Sequence, residues 1–403
     1  MTRLPRPLQP LWPLAKRIHR LGALASGSLF RRLSWLFGPR GLPRRGTERT
    51  MLTAAAEPSS VTVHTSDSGE HLRRTIPDGS PAQHPAYTSI ASFVVPPRFT
   101  ADLADGIVVG DYGATVTAGG TFDFETSPYF SIDDWREHPL FLRRRLPSIE
   151  TFDGTLLALA TRGGSYSYYH FLFDVLPRYG VFAETMDGVE PDALYLPTTT
   201  TYQQQLLELT GLDRHAVVET GKNRAVQASR LLVPSAPNPL EVAPRWMVDW
   251  VRKQLPPGEA TDKPRRIYVT RGGAKHTRRL ESEAEAWPRL KDRGFARLDP
   301  GTMSVRDQID HFAAAEIIVG LHGGALTNLV FAQPGVKVLE IFAPTYVKHC
   351  FWAITDSIEG AEYRYLVADR PPTAPDDWLT NIQDDIDLDA DTLVRAVDDL
   401  LGE

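Results

Sequence analysis

The sequence predicts an α/β protein of two domains, each a sheet with crossover helices. One reason is alternation: short β-branched runs and helix-periodic segments follow one another through both halves of the chain. Another is size, since 403 residues exceed one ordinary domain and can bury a large core. The third is a single unit. The run Ala315–Val319 leads into Gly320-Leu321-His322-Gly323-Gly324-Ala325-Leu326-Thr327-Asn328, and Pro334-Gly335 closes an apolar stretch before the run Val336–Ile341. That pattern reads as strand, glycine turn, short helix, strand.

Composition narrows the class. Hydrophobic residues at 42% and charged residues at 23% are those of a soluble globular protein. The formal charge of -6 conceals an asymmetry: residues 1–50 hold eleven Lys or Arg against one Glu, or +10, which leaves -16 for the remainder. An acidic body argues against nucleic acid as a partner. The single cysteine, Cys350, excludes an internal disulfide framework and a Cys-rich metal site, and suits a cytoplasmic location.

In chain order, residues 1–50 form a basic, apolar leader. Leu11, Leu14, Ile18, Leu21 and Ala25 recur at helical spacing with Lys16, Arg17 and Arg20 nearby, and Arg31-Arg32-Leu33-Ser34-Trp35-Leu36-Phe37 repeats the basic-aromatic theme. No apolar run approaches the roughly 20 residues that span a bilayer, and the internal cations fit a secretory signal poorly. Two readings stand: an interfacial anchor in which residues 1–40 touch an anionic membrane, on the inner face of the plasma membrane, or a disordered basic tail. Residues 51–86, rich in Ser, Thr, Pro and Gly, read as a flexible linker, so ordered structure is expected from Tyr87.

The first domain is expected over 87–255. Ile107–Val109, Ala114–Val116 and Leu156–Leu159 read as strands, followed by a helix through Ser165–Tyr179. That helix is apolar on nearly every side except for Ser167, His170, Asp174 and Arg178, whose spacing places them on one face. Pro177 is expected to kink or shorten the helix near Phe173 and to move Arg178 off this stripe. Ala193–Leu196, Ala216–Val218 and Arg230–Val233 are further strands, with helices over 202–210 and 244–255. Pro256-Pro257-Gly258 marks a boundary. The second domain, 265–370, opens at the strand Arg265–Arg271, continues through a helix over 281–293, a strand over 295–298 and a Ser304/Asp307 capping box, and reaches the glycine unit. An acidic tail over 371–403 ends in an amphipathic helix, 388–401, that could pack on the first domain.

Three groups of residues carry chemistry. His322, Gly323, Gly324, Thr327 and Asn328 concentrate polar groups and exposed backbone at a helix start, where N–H donors and the positive dipole end suit an anion. It is neither a Walker loop nor a dinucleotide fingerprint. Arg271, with Lys275, Arg278 and Arg279, sits at the carboxyl end of a strand in the same domain and could share that anion through bidentate contacts. Glu340, ending the next strand, could accept from ribose hydroxyls. In the first domain, Asp174 or His170 could remove a proton from an acceptor hydroxyl. That pair supplies too few ligands for a metal, and none is expected.

Together these residues resemble glycosyltransferase family 61. Tyr168-Tyr169-His170-Phe171-Leu172-Phe173-Asp174-Val175-Leu176-Pro177-Arg178 is similar to its "YYHWLxDxLPR" block. Ile267-Tyr268-Val269-Thr270-Arg271 with Arg278-Arg279 is similar to its "YxxR…RR" block. Gly320–Asn328 with Pro334, Gly335 and Glu340 is similar to its "GxHGAxLTNxxFxxPGxxxxE" block. Leu280-Glu281 stands where Asn-Glu is frequent, Gly324 where Ala is usual, and Phe171 where Trp is frequent.

The resemblance implies a GT-B-like fold of two Rossmann-type α/β domains facing a central cleft, and an inverting transfer in capsular or cell-surface polysaccharide synthesis. It implies no bound cofactor or metal. The donor would be a nucleotide sugar, UDP-linked in the first instance, held by Arg271, Arg278, Arg279, His322, Gly323, Gly324, Thr327, Asn328 and Glu340. The acceptor would be a glycan or lipid-linked glycan, with Asp174 or His170 as base. Two other readings are a catalytically silent glycan- or nucleotide-sugar-binding protein on the same scaffold and a membrane-bound scaffold that depends on its leader.

Overall fold

A computed structural model describes residues 12–66, 69–258, 262–273, 278–369 and 384–402, with side chains from residue 20 onward. The fold is α/β. It divides into two compact units: unit 1 comprises 1–68, 97–200 and 213–237, and unit 2 comprises 69–96, 201–212 and 238–403. Both are discontinuous, because the chain crosses between them several times. The boundary therefore falls at 237/238 and not at the Pro256-Pro257-Gly258 signal, and residues 69–96 and 201–212 belong to unit 2.

Unit 1 is built on a ten-stranded sheet. One side of it is parallel: Ala225–Pro234, Ile149–Ala158, Ala193–Leu196 and, at the edge, Ala216–Glu219 lie side by side in that order. Ala193–Leu196 and residues 231–234 are fully buried, as apolar strands covered on both faces are, whereas Ala216–Glu219 is largely exposed. Antiparallel strands Phe99–Ala104 and Ile107–Val109 pair along Ala225–Pro234, and Ala114–Val116 follows Ile107–Val109. The expectation of a Rossmann-type first domain is thus met only in the parallel half. Short connections such as Gly110–Gly113, each glycine at positive φ, favour hairpins over crossovers.

Two expectations about the N-terminal region need correction. Residues 51–86 are not a linker: Thr50–Ala56 is a helix, Val61–Thr65 pairs with Phe99–Ala104 in the unit 1 sheet, and Asp78–Ser80 is the edge strand of the unit 2 sheet. The Ser/Thr-rich composition misled because edge strands carry little apolar patterning. Nor are residues 20–50 a disordered tail. The helix Trp12–Arg32 is followed by a 3₁₀ segment Ser34–Arg40, Leu42 is buried with Trp135, Phe122 and Phe141, and Arg45–Thr47 pairs with Thr121–Asp123. Leu11 lies outside the described residues, as do the side chains of Leu14, Lys16, Arg17 and Ile18.

Unit 2 holds a six-stranded, all-parallel sheet in the order Ala296–Leu298, Arg266–Val269, Ile317–Leu321, Lys337–Phe342, Glu362–Val367, Asp78–Ser80. Numbering the first five by sequence gives 2-1-3-4-5, a doubly wound order whose direction reverses between Arg266–Val269 and Ile317–Leu321. Ligands of such sheets bind outside the carboxyl ends of the strands at that reversal. The helices Glu283–Asp292 and Val305–Ala314 supply crossovers, and Ser304 caps the latter by accepting from the Asp307 N–H, as its sequence predicts. The C-terminal helix Ala390–Leu401 packs within unit 2 and not on the first domain: Leu393, Val397 and Leu400 join Tyr268, Leu290 and Leu339 in one core. Ion pairs Arg289–Asp391 and Arg293–Asp398 flank that packing.

Candidate active site

The reversal point of the unit 2 sheet is where the sequence places its glycines and cations. Strand Arg266–Val269 delivers Thr270-Arg271-Gly272, and its neighbour Ile317–Leu321 delivers His322-Gly323-Gly324. The segment after the turn is a 3₁₀ helix, Gly324–Phe331, tighter than the α-helix expected. Its first-turn N–H groups lack intrahelical partners by construction. Gly323 has no room for a side chain: a Cβ there would come 1.8 Å from Arg271 Nη1. The arginine therefore lies directly on the glycine backbone. At Gly324 a Cβ would meet nothing within 4 Å, so the alanine usual in the family block would fit.

The imidazole of His322 is the centre of this group of residues. Its Nδ1 lies 2.5 Å from Glu340 Oε1, and the other carboxyl oxygen of Glu340 accepts from the Tyr363 hydroxyl. The ring stacks at 4.8 Å on Phe342 and meets Tyr346 at 5.2 Å and Phe351 at 5.3 Å. Burial, reinforced by the charges of Arg278, Arg271 and Lys348, holds the imidazole well below its ordinary pKa. Burial also holds the Glu340 carboxyl well above its own, against the Tyr363 hydrogen bond. With the Glu340 carboxyl keeping its proton and donating to Nδ1, the single N–H of the neutral imidazole lies at Nε2, a donor suited to an anionic oxygen.

Glu340 thus has a different task from the one expected of it. It is fully buried, sits mid-strand opposite Gly320 and Tyr365, and orients His322 instead of meeting ribose hydroxyls. Asn328 is likewise buried, and its amide donates to Gln308 and to the Ala325 carbonyl at 2.8 and 3.0 Å; it fastens the turn to the helix behind it. Thr327 is buried with a hydroxyl that has no hydrogen-bond partner.

The cations separate into two kinds. Burial and the like charge of Arg278 pull the Arg271 guanidinium down to about 10. Arg278 lies 5.2 Å over the Tyr346 ring, with Nε buried and without a hydrogen-bond partner, and burial lowers its pKa also. Two crowded, partly dry guanidinium groups favour an anion between them. Arg279 is different: its side chain is exposed, while its backbone pairs with Asp385 and Ile386. Lys275 lies outside the described residues. Tyr346, Lys348 and Tyr363 escaped sequence reasoning because single aromatic or basic residues in a loop and at a strand have no spacing to mark them.

The second group of residues lies in unit 1. Ser167 caps the helical segment Tyr168–His170 by accepting from the His170 N–H, and His170 Nδ1 lies 2.6 Å from Asp174 Oδ2. Phe171, Leu172, Phe173, Val175 and Leu176 are all fully buried, each worth about 1.5–3 kcal/mol, and so fix this backbone from every side. The disturbance expected from Pro177 near Phe173 takes the form of an interrupted α-helix. The turn Phe171–Val175 is a π-helix, and Pro177 starts the α-helix Leu176–Thr185. A widened turn absorbs the carbonyl that proline leaves without a donor, a device frequent at functional sites. Arg178 is completely buried and donates to the carbonyls of Thr126 and Ala160. Burial lowers its pKa to about 10 while the Asp174 charge opposes that shift.

Gly163, at φ 76°, brings its backbone against His170: a Cβ would lie 2.4 Å from the ring's Cδ2. The same glycine lines a cavity of about 330 Å³ with Asp111, Tyr112, Tyr129, Arg143 and Tyr166. No sequence pattern announced this cavity, because its walls come from five separate stretches. The cavity meets His170 through Gly163, and a partly buried His–Asp pair can deprotonate a hydroxyl brought to it.

No curated protein matches this sequence. Residues 168–339 match the family model Glycosyltransferase 61. The match begins at the helical segment that carries His170 and Asp174 and runs through Arg271 and His322–Asn328, so in this stretch the chain is similar to glycosyltransferase family 61.

Proposed function

We propose that this glycosyltransferase moves a sugar from a nucleotide-diphosphate donor to a hydroxyl of a glycan acceptor, with inversion, in the synthesis of a cell-surface polysaccharide. The labour is divided as in GT-B enzymes. Unit 2 holds the donor diphosphate through Arg271, Arg278, His322 Nε2 and the backbone at Gly323-Gly324. Unit 1 binds the acceptor and supplies the base. The acceptor oxygen forms its bond to the anomeric carbon as the bond from that carbon to the diphosphate oxygen breaks. The bonding pair leaves on the diphosphate, and the hydroxyl proton passes to the His170–Asp174 pair.

The observation that supports this reading best is the position of Arg271 on Gly323 at the reversal of a doubly wound sheet. Titration calorimetry with UDP and other nucleoside diphosphates tests it. Binding is expected to weaken at least tenfold in Arg271→Ala and to be unchanged in Asp174→Asn, whereas release of nucleoside diphosphate from a donor sugar should collapse in Asp174→Asn. Absence of binding by any nucleoside diphosphate would sink the donor assignment; turnover unaffected by Asp174→Asn would sink the assignment of the base.

A further inference from the structure

The leader helix has two faces with opposite surroundings. Its inner face is docked within unit 1. A Cβ on Gly27 would come 2.9 Å from the Phe141 carbonyl, Arg31 lies 4.9 Å over the Trp135 ring, and Arg20 pairs with Glu137. At about 3.6 residues per turn, Arg20, Leu24, Gly27 and Arg31 share this side. Leu21, Ala25 and Leu29 fall opposite, and all three are exposed. The 3₁₀ segment that follows adds Trp35 and Leu36, both more than half exposed.

A remote stretch contributes to the same region. Pro139–Leu142 packs against the leader helix and ends in Leu142, also more than half exposed. It is followed by Arg143-Arg144-Arg145, of which Arg144 lies 5.8 Å over the ring of Phe30. Arg32 and Arg145 are exposed. Two carboxylates beside the leader helix, Glu137 and Asp134, are engaged by Arg20 and Arg136. Exposed Leu and Trp side chains among uncompensated arginines form the composition of an interfacial surface, and soluble proteins avoid such patches without a partner. The charge says which partner. Residues 1–50 carry +10 on a chain whose remainder carries -16, so the surface repels basic partners and attracts an anionic sheet.

We propose that this face of unit 1, formed by Leu21, Leu29, Trp35, Leu36 and Leu142 with Arg32, Arg144 and Arg145, seats the protein on an anionic lipid bilayer. The helix lies in the headgroup plane. No helix among the described residues is long and apolar enough to cross a membrane. The apolar side chains enter the acyl boundary and the arginines meet lipid phosphates, a two-signal attachment that neither part gives alone. The inference stands apart from the transfer reaction, since it uses none of its residues.

Co-sedimentation of the full chain with vesicles tests it, using phosphatidylcholine alone and phosphatidylcholine mixed with phosphatidylglycerol. Binding is expected only to the anionic vesicles and should fall as salt rises. The double variant Arg144→Ser/Arg145→Ser should bind roughly fivefold more weakly for each arginine removed. Leu29→Ser/Trp35→Ser/Leu36→Ser should abolish binding while thermal unfolding and nucleoside diphosphate binding stay as in the parent. No binding to anionic vesicles overturns the proposal, as does equal binding to neutral ones. So does a self-associated chain that the triple variant turns into a monomer, which would make a second copy the occupant of this face.

Discussion

His322 and Glu340 form a closed pair inside unit 2, Nδ1 to Oε1 at 2.5 Å, with Tyr363 on the remaining carboxyl oxygen. Neighbouring parallel strands hold the two residues, and the His322 N–H also donates to the Ile341 carbonyl. The pair sits in a dry aromatic box. It takes up Nδ1 of His322 and leaves Nε2, so the nitrogen that the proposed donor would meet is set by Glu340.

Removing Glu340 tests that dependence. Glu340→Ala leaves a buried imidazole and a buried hydroxyl without their shared partner, and each unsatisfied buried group costs about 1–3 kcal/mol. Glu340→Gln keeps the shape and should cost less than Glu340→Ala. Urea unfolding of the three proteins checks the order. Equal stability of parent and Glu340→Ala would remove the pair's structural role.

The two glycines of the turn predict opposite outcomes. Gly323→Ala puts a methyl group where Arg271 Nη1 now lies, 1.8 Å from the new Cβ, so the guanidinium must move. Nucleoside diphosphate affinity is expected to fall about tenfold or more, the scale of one lost charge-assisted contact. Gly324→Ala meets no atom within 4 Å and should bind as the parent does. Calorimetry on the pair decides the point: equal losses would mean that the turn needs both glycines for backbone reasons alone.

Much of unit 2 was legible in the sequence. Parallel strands buried on both faces are apolar runs, and Arg271, His322 and Glu340 stood at or near their ends. What sequence spacing could not supply was direction. Glu340 points into the core and Asn328 toward Gln308, so residues expected to face a ligand instead hold others in place. The N-terminal third was misread for another reason: Asp78–Ser80 and Arg45–Thr47 are three-residue edge strands, too short for periodicity to register. The π-turn at Phe171–Val175 lies between these cases. The sequence flagged Pro177 as a disturbance, and packing decided its form.

A buried histidine outside the candidate site makes stability depend on pH. His138 sits among Phe122, Tyr112 and Tyr129, accepts from the Leu140 N–H, and is pulled by burial down to about 3. Its unfolded value is about 6.5. The folded state therefore binds this proton more weakly than the unfolded state. The contribution is full above about pH 6.5 and is lost as pH falls toward 3, at about 1.4 kcal/mol per unit. His138→Asn keeps an acceptor for the Leu140 N–H without the titration. The stability difference between parent and variant should shrink at that slope between pH 6 and pH 4 in urea unfolding; a constant difference would show that His138 does not titrate as described.

The contact of Gly163 with His170 links backbone conformation to the acceptor-side chemistry, and a matched control separates the two effects. Gly163→Ala introduces a Cβ at a φ of 76° and 2.4 Å from His170 Cδ2, so it carries both a backbone cost of about 1–2 kcal/mol and a clash that turns the imidazole away from Asp174. Gly188→Ala has nearly the same φ, 74°, with nothing within 4 Å, and reports the backbone cost alone. Gly163→Ala should lose more stability than Gly188→Ala in thermal unfolding, by the cost of the clash, and both should bind nucleoside diphosphate normally, since neither residue belongs to unit 2. Only Gly163→Ala should lose turnover, by a factor approaching the 10²–10⁴ that a positioned base contributes. Equal activity of the two variants would mean that the orientation of His170 has no part in the reaction.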